Sequence, residues 1–188
     1  MSAHVPSALI EIVERHDLVV RQSISAECTR WAIFSADDTY RYALVTEVNP
    51  NGRGANGFCG LNPSTATQDV QDNTHSKCME FTRRWGFRWN WMLNAFAIRG
   101  RDPKTIKCVA DPVGPANDDV LHFAASHLDR MVAAWGGNAS HLARGARVRR
   151  DLTGAGASLV ALRLNNDGSP EHPLYVPYSV EPMPWTVA

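Results

Sequence analysis

Apolar positions along the chain follow two different periods. Between residues 28 and 48 two dense runs, CTRWAIFS and YRYALVTEV, flank the polar stretch ADDT. Aromatic and β-branched residues around an Asp-Asp turn predict an antiparallel hairpin. Ahead of it SALIEIVER (residues 7–15) repeats apolar residues at helical spacing, with Ser7 as the N-cap, and predicts a short amphipathic helix. The segment NPNGRGANG (49–57), rich in glycine and asparagine, reads as a loop.

From residue 57 onward short apolar runs alternate with helical stripes. The runs are GFCGL (57–61), WNWMLNAFAI (89–98), RMVAAWG (130–136) and SLVALRL (158–164). Cys78, Phe81, Thr82 and Trp85 form the first stripe, with Asp72 or Thr74 placed to cap it. Val120, Leu121, Ala124, Ala125 and Leu128 form the second, and residues 138–153 a polar, arginine-bearing third. Such alternation implies right-handed crossovers and a parallel sheet. The expected fold is α/β: a three-layer α/β/α sandwich around a four-stranded parallel sheet, with an N-terminal β-hairpin at one edge. One domain is expected over residues 1–188, with 1–56 as a helix-and-hairpin appendage and 57–188 as the parallel core.

Composition narrows the function classes. Nineteen basic and nineteen acidic residues give zero net charge, which argues against a broad electrostatic footprint for duplex nucleic acid. The apolar runs are too short to cross a bilayer, and the first residues carry charges where a signal peptide needs an apolar core. A cytoplasmic protein with no membrane partner is expected. Cysteines at 28, 59, 78 and 108 show no CxxC spacing and read as reduced thiols, and the histidines are scattered. No metal and no cofactor is expected, and nothing here sets the oligomeric state.

The polar residues acquire meaning from the topology. In an open parallel sheet, ligands bind beyond the carboxyl ends of the strands. Behind the first run come Asn62, Pro63, Ser64 and Thr65; the second carries Asn94 and leads to Arg99; the third ends in Trp135; the fourth leads to His172 and Tyr175. These groups are expected at one rim. Asn62 can orient a water or grip an amide, since its side chain both donates and accepts. Pro63 fixes a turn that turns Ser64, Thr65 and backbone N–H groups toward the crevice, an arrangement suited to an anion. His172 can donate to a developing oxyanion, and Trp135 or Phe58 can stack on a planar ring. Plainer roles exist for each: NPST as a tight turn, Asp72 and Thr74 as helix caps, and the cluster Arg144, Arg147, Arg149 and Arg150 as a solvated face or a phosphate grip. Ser64, His172 and Asp72 could form a hydrolase triad, but no GxSxG elbow supports it.

The blocks GLNPSTA, RRWGF, GPAND and HPLY, in this order, resemble the domain-of-unknown-function family 1643 over about residues 28–185. That likeness implies membership and no activity. A strand ending Gly-x-Asn-Pro-Ser, a Trp-Gly after the third strand and a His-Pro after the fourth also resemble the uracil-DNA glycosylase superfamily. This second likeness implies a four-stranded parallel sheet, with Asn62 positioning the attacking water and His172 stabilising the departing base. It further implies that Leu174 wedges into a duplex and that Asn94 reads the base edge. The chain departs from that pattern in lacking an aspartate at Asn62 and in continuing His-Pro with Leu174-Tyr175-Val176-Pro177. The expected function is a nucleobase or nucleotide pocket, for a free nucleotide or a nucleic acid, with N-glycosidic hydrolysis as its chemistry. Arg99 and the Ser64–Thr65 loop would take phosphate. A non-catalytic nucleotide or nucleic-acid binding module is the alternative, and a Ser64-dependent small-molecule hydrolase a third.

Overall fold

The predicted hairpin forms, and it continues into one larger sheet. The computed structural model describes residues 5–24, 28–64, 72–100 and 102–185. Helix α1 spans Ser7–Arg15, with Pro6 rather than Ser7 at its N-cap. Strands β1 (Val19–Ile24), β2 (Thr29–Phe34) and β3 (Arg41–Glu47) run antiparallel to one another. Strand β4 (Arg53–Gly60) leads to helix α2 (Asn73–Arg84) and then to β5 (Phe87–Asn94). Helix α3 (Asn117–His127), β6 (Arg130–Ala133), α4 (Arg144–Gly154), β7 (Leu159–Ala161) and the short β8 (Met183–Pro184) complete the order.

The sheet is not the four-stranded parallel sheet expected. It has eight strands in the order β1-β2-β3-β5-β4-β6-β7-β8. Strands β5, β4, β6 and β7 pair in parallel, while β1–β2, β2–β3, β3–β5 and β7–β8 pair antiparallel. The sheet is therefore mixed. Its antiparallel part grows from the edge of β5, where Leu44, Val45 and Thr46 of β3 face Met92, Trp91 and Asn90. Two further strands escape the sequence pattern. β1 is only half-buried along its length, so it lacks a strong apolar signal. The first half of β4 lies in the stretch read as loop, because its glycines serve close passage rather than turning. At Gly54, with φ +63°, a Cβ would collide with the Asp129 carboxylate, and at Gly52 one would meet the backbone of Phe87 and Arg88.

Both faces of the sheet are covered, and the strand alternation decides what lies on each. Trp31, Ile33, Cys59, Trp91, Leu93, Met131 and Ala133 point toward α1, α3 and α4. Ala32, Phe34, Phe58, Met92 and Val132 point toward α2 and the C-terminal segment at Val176. Phe58 is fully buried there, with its ring centroid 6.0 Å from that of Trp85 and 6.3 Å from that of Phe81. The expected polar helix over 138–153 divides in two. A 3₁₀ segment, Gly137–Ala143, precedes α4, and Leu142 and Ala143 at the joint take positive φ of 53° and 50°.

Two side chains tie the carboxyl end of β5 to the helices behind it. Asn117 donates to the carbonyls of Asn94 and Ala95, each at 3.1 Å. The buried Arg144 donates to Ala95 O at 2.6 Å and to Asp118 at 2.5 Å. Arg147 pairs with Asp118 and Asp151, and Arg149 lies over the Trp185 ring. The arginine row thus holds the fold together. Replacing Arg144 by alanine removes a buried guanidinium from two acceptors and leaves a void. We expect it to cost about 2 to 4 kcal/mol in urea denaturation, whereas Arg150→Ala, whose only ion pair among the described residues is exposed, should change stability by less than about 0.5 kcal/mol.

Candidate functional site

The register of the parallel strands fixes the rim. Gly60 pairs with Asn94, and Cys59 O accepts from Ala134 N at 2.8 Å, so β4, β5 and β6 end at one level. Beyond that level the chain is stitched together. Ala95 N donates to Gly60 O, Phe96 N to Leu61 O and Gly100 N to Pro63 O, each at 2.9 Å, and Gly136 N donates to Pro170 O at 3.0 Å. The last bond brings the loop after β6 against the segment that carries His172.

These ends enclose a cavity of about 340 Å³. Asn62, Ser64, Asp72, Asn94, Trp135, His172 and Tyr175 all line it, as do Arg41, His75, Thr74 and Asn138. Asn62 spends its amide nitrogen on the wall, donating to Gly100 O at 2.9 Å. Its Oδ1 remains as the group it can offer. Asn94 is 4% exposed, and its Nδ2 meets no hydrogen-bond partner among the described residues. Gly60 is small where it must be, since a Cβ there would sit 3.1 Å from Asn94 Oδ1. Trp135 forms a buried wall, buttressed by Trp185 at 5.5 Å between ring centroids. His172 accepts from Leu174 N on Nδ1 at 3.4 Å, which leaves its proton on Nε2.

Charge in the cavity is held on two groups. Asp72 caps α2 by accepting from His75 N at 2.7 Å, and its other oxygen accepts from Ser64 Oγ. Burial raises its pKa, but these two bonds, with the nearby charge of Arg41, outweigh it and hold the carboxyl below its ordinary value. Arg41 is buried, and burial lowers its guanidinium to about 10, which still leaves it charged at neutral pH. The two histidines are neutral there. Burial pushes His75 down to about 3, helped by Arg30 and Arg41, and burial lowers His172 against the pull of Asp72. His75 Nε2 lies 3.1 Å from Thr46 Oγ1, while Nδ1 has no partner among the described residues.

Three expected site residues stand elsewhere. Phe58 does not reach the rim: its position in β4 points it into the core beneath α2. Pro63 is buried and contributes its carbonyl to Gly100 N, not its ring to the cavity. Arg99 turns away, donating to Asp38 O at 3.1 Å with its guanidinium 5.2 Å over the Phe34 ring. Thr65 lies outside the described residues. Conversely, Arg41 and His75 escape a reading based on strand ends. β3 runs antiparallel to β5, so the residue that begins it lies beside the carboxyl end of β5. The signal was an arginine flanked by tyrosines at the start of an otherwise apolar strand. No group of His, Cys, Asp or Glu among the described residues could hold a metal ion. Cys59 and Cys78 are buried free thiols, and no described helix is long and apolar enough to cross a membrane.

Residues 41–174 match the family described as protein of unknown function, DUF1643. The chain belongs to that family. No curated protein and no solved structure matches the chain, so the likeness to the uracil-DNA glycosylase superfamily gains no support from either comparison. The matched region begins at Arg41 and ends at Leu174. It therefore spans the cavity-lining residues from Arg41 through His172, and omits β1, β2, Tyr175 and the C-terminal segment.

His75 gives the site a pH signature. Its pKa is about 3 in the folded protein against 6.5 in its absence, so the unfolded chain binds more protons between those values. The stability it confers is complete above pH 6.5 and is lost as pH falls toward 3; Asp72 and His172 act in the same direction. Urea midpoints should fall steeply below about pH 6, and His75→Gln should flatten that fall by up to about 1.4 kcal/mol per pH unit.

Proposed function

We propose that the cavity binds a nucleobase or nucleotide and hydrolyses its N-glycosidic bond. One observation carries the reading: a buried asparagine amide, Asn94, lies on the cavity wall with its Nδ2 unsatisfied by any of the described residues. A buried amide left without a partner costs about 1 to 3 kcal/mol, which a ligand edge bearing matched donors and acceptors would recover. A pyrimidine or purine edge has that character. Trp135 and Tyr175 offer flat walls to such a ring.

The chemistry is set by the remaining groups. Asn62, anchored through Nδ2, presents Oδ1 to a water. The bond from C1′ to the base nitrogen breaks with its electron pair going to the base. His172 Nε2–H donates to the negative charge that gathers there. The water adds its oxygen to C1′, and its proton ends on the released base. A neutral histidine can fill this role, because Nδ1 accepts from Leu174 N and Nε2–H is left to donate.

A second reading, a non-catalytic nucleotide-binding module, is favoured by Asp72. Both its oxygens are engaged and its pKa is lowered, so it is a weak base toward a water. The same fact weakens a Ser64-dependent hydrolase, for Ser64 Oγ donates to that poor base and not to a histidine.

Thermal-shift titration with nucleobases, nucleosides and nucleoside monophosphates tests the pocket, since a ligand of the folded state alone raises the midpoint. Asn94→Ala should weaken binding about tenfold. Chromatography for freed base then separates the two readings. If the protein is a catalyst, Asn62→Ala keeps affinity and loses about 100-fold in turnover; a binding module releases no base even as wild type. A panel without any stabilising ligand would sink the nucleobase reading.

A further inference from the structure

Outside the cavity, one flank of α2 carries a row of cations held over aromatic rings. Thr74 lines the cavity, and Lys77, three positions on, lies on the same side of the helix. Its ammonium sits 3.7 Å from the centroid of the Tyr178 ring. Arg84, two turns further, lies over the same ring at 4.4 Å. Arg130, further along, is half-buried between the rings of Trp85 at 4.0 Å and Phe87 at 4.8 Å, with its Nε donating to the buried Asn56, so the exposed row ends at Arg84. From Thr74 to Arg84 the helix rises about 15 Å. The charges facing the row are Glu80, which pairs with Arg83 and Arg84, and Glu181, which acts on Arg130. Lys77, Arg83, Arg84 and Arg130 outnumber them.

At the cavity end of this row stands Tyr175, which lines the cavity yet is 73% exposed. An aromatic ring so open to water at a cavity mouth offers a face to a second planar group outside it. The row is one cation wide, and its two heads over Tyr178 lie no more than about 8 Å apart, a spacing that suits successive phosphates of one strand. Stacking platforms beside a positive track are the chemistry that binds an unpaired strand. The zero net charge of the chain does not oppose this, because the track is local.

We infer that the site takes a single-stranded polynucleotide, with one base in the cavity, its neighbour on Tyr175 and the phosphate backbone along Lys77 and Arg84. This rests on the nucleobase reading of the cavity and narrows it from free nucleotides to a strand. A duplex would present two backbones to a track that accommodates one.

Fluorescence anisotropy with short labelled oligo-dT and oligo-U strands, and with the DNA strand annealed to its complement, tests the inference. Two phosphate contacts at about 0.7 each give a slope of log K against log salt of about −1.4 for the single strands. The double variant Lys77→Ala/Arg84→Ala should lose most of that slope and reduce the affinity about tenfold. Both side chains lie on the surface of α2, and an unchanged melting temperature would show that the fold is intact. Tyr175→Ala should cost about tenfold for a strand, while binding of AMP, GMP, CMP and UMP and their deoxy forms survives the α2 changes. A slope near zero, a double variant that binds like wild type, or a duplex that binds more tightly than its single strand would overturn the inference. The two readings fail separately. Mononucleotides that bind while strands bind no better would remove the track and keep the cavity reading. Strands that bind through the track with no loss in Asn94→Ala would keep the track and remove the cavity reading.

Discussion

Everything at the site depends on the hydrogen-bonded register of β4 between β5 and β6. Pairing Gly60 with Asn94, and Cys59 O with Ala134 N, ends the three strands together. Asn62, Asn94 and Trp135 then fall within two residues of one level on adjacent strands. A slip of one residue in any of these pairs would send alternate side chains to the opposite face. It would exchange Asn94 for Leu93 at the rim. The register is guarded from both sides, by the apolar alternation in the strand bodies and by Asn117 and Arg144, which hold the carbonyls just past Asn94.

The cavity concentrates buried polarity at that edge. Behind α2 the buried polar side chains bond to one another, Asn56 with Thr82 and Arg130, and Thr82 with Asn90. On the cavity wall Asn94 Nδ2 and His75 Nδ1 have no such partner among the described residues. Burial keeps both cavity histidines neutral while Arg41 and Asp72 stay charged. The walls therefore present mainly neutral donors and acceptors, with one charge of each sign. That is a surface fitted to a polar planar ligand more than to a bare ion.

Much of the site was legible from strand ends, and the reason is topological. Parallel strands alternate with helices, so the residues just past each strand collect at one rim wherever its register lies. Asn62, Ser64, Asp72, Asn94, Trp135, His172 and Tyr175 meet at the cavity for that reason. Arg41 was illegible by the same rule, because β3 reaches the rim with its first residue. Phe58 and Arg99 misled the reading for a different reason. Each lies near the right strand end, but the alternation of β4 turns Phe58 inward and a backbone carbonyl at Asp38 draws Arg99 away. The sheet was half legible. Four parallel strands left clear apolar runs, whereas the half-exposed β1 and the two-residue β8 left none, so an eight-stranded mixed sheet could not be read from periodicity alone.

The most direct test of the central claim observes the side chains themselves. Protein labelled with ¹⁵N at asparagine shows each side-chain amide as its own NMR signal, and single Asn→Ala variants assign those of Asn94 and Asn62. Titrating nucleobases and nucleoside monophosphates should move the Asn94 Nδ2 pair first and most, with Asn62 moving next and Asn56 and Asn90, behind α2, unmoved. Saturating shifts confined to the buried amides of Asn56 or Asn90, or none at any asparagine while the ligand binds, would contradict the account and place the ligand elsewhere.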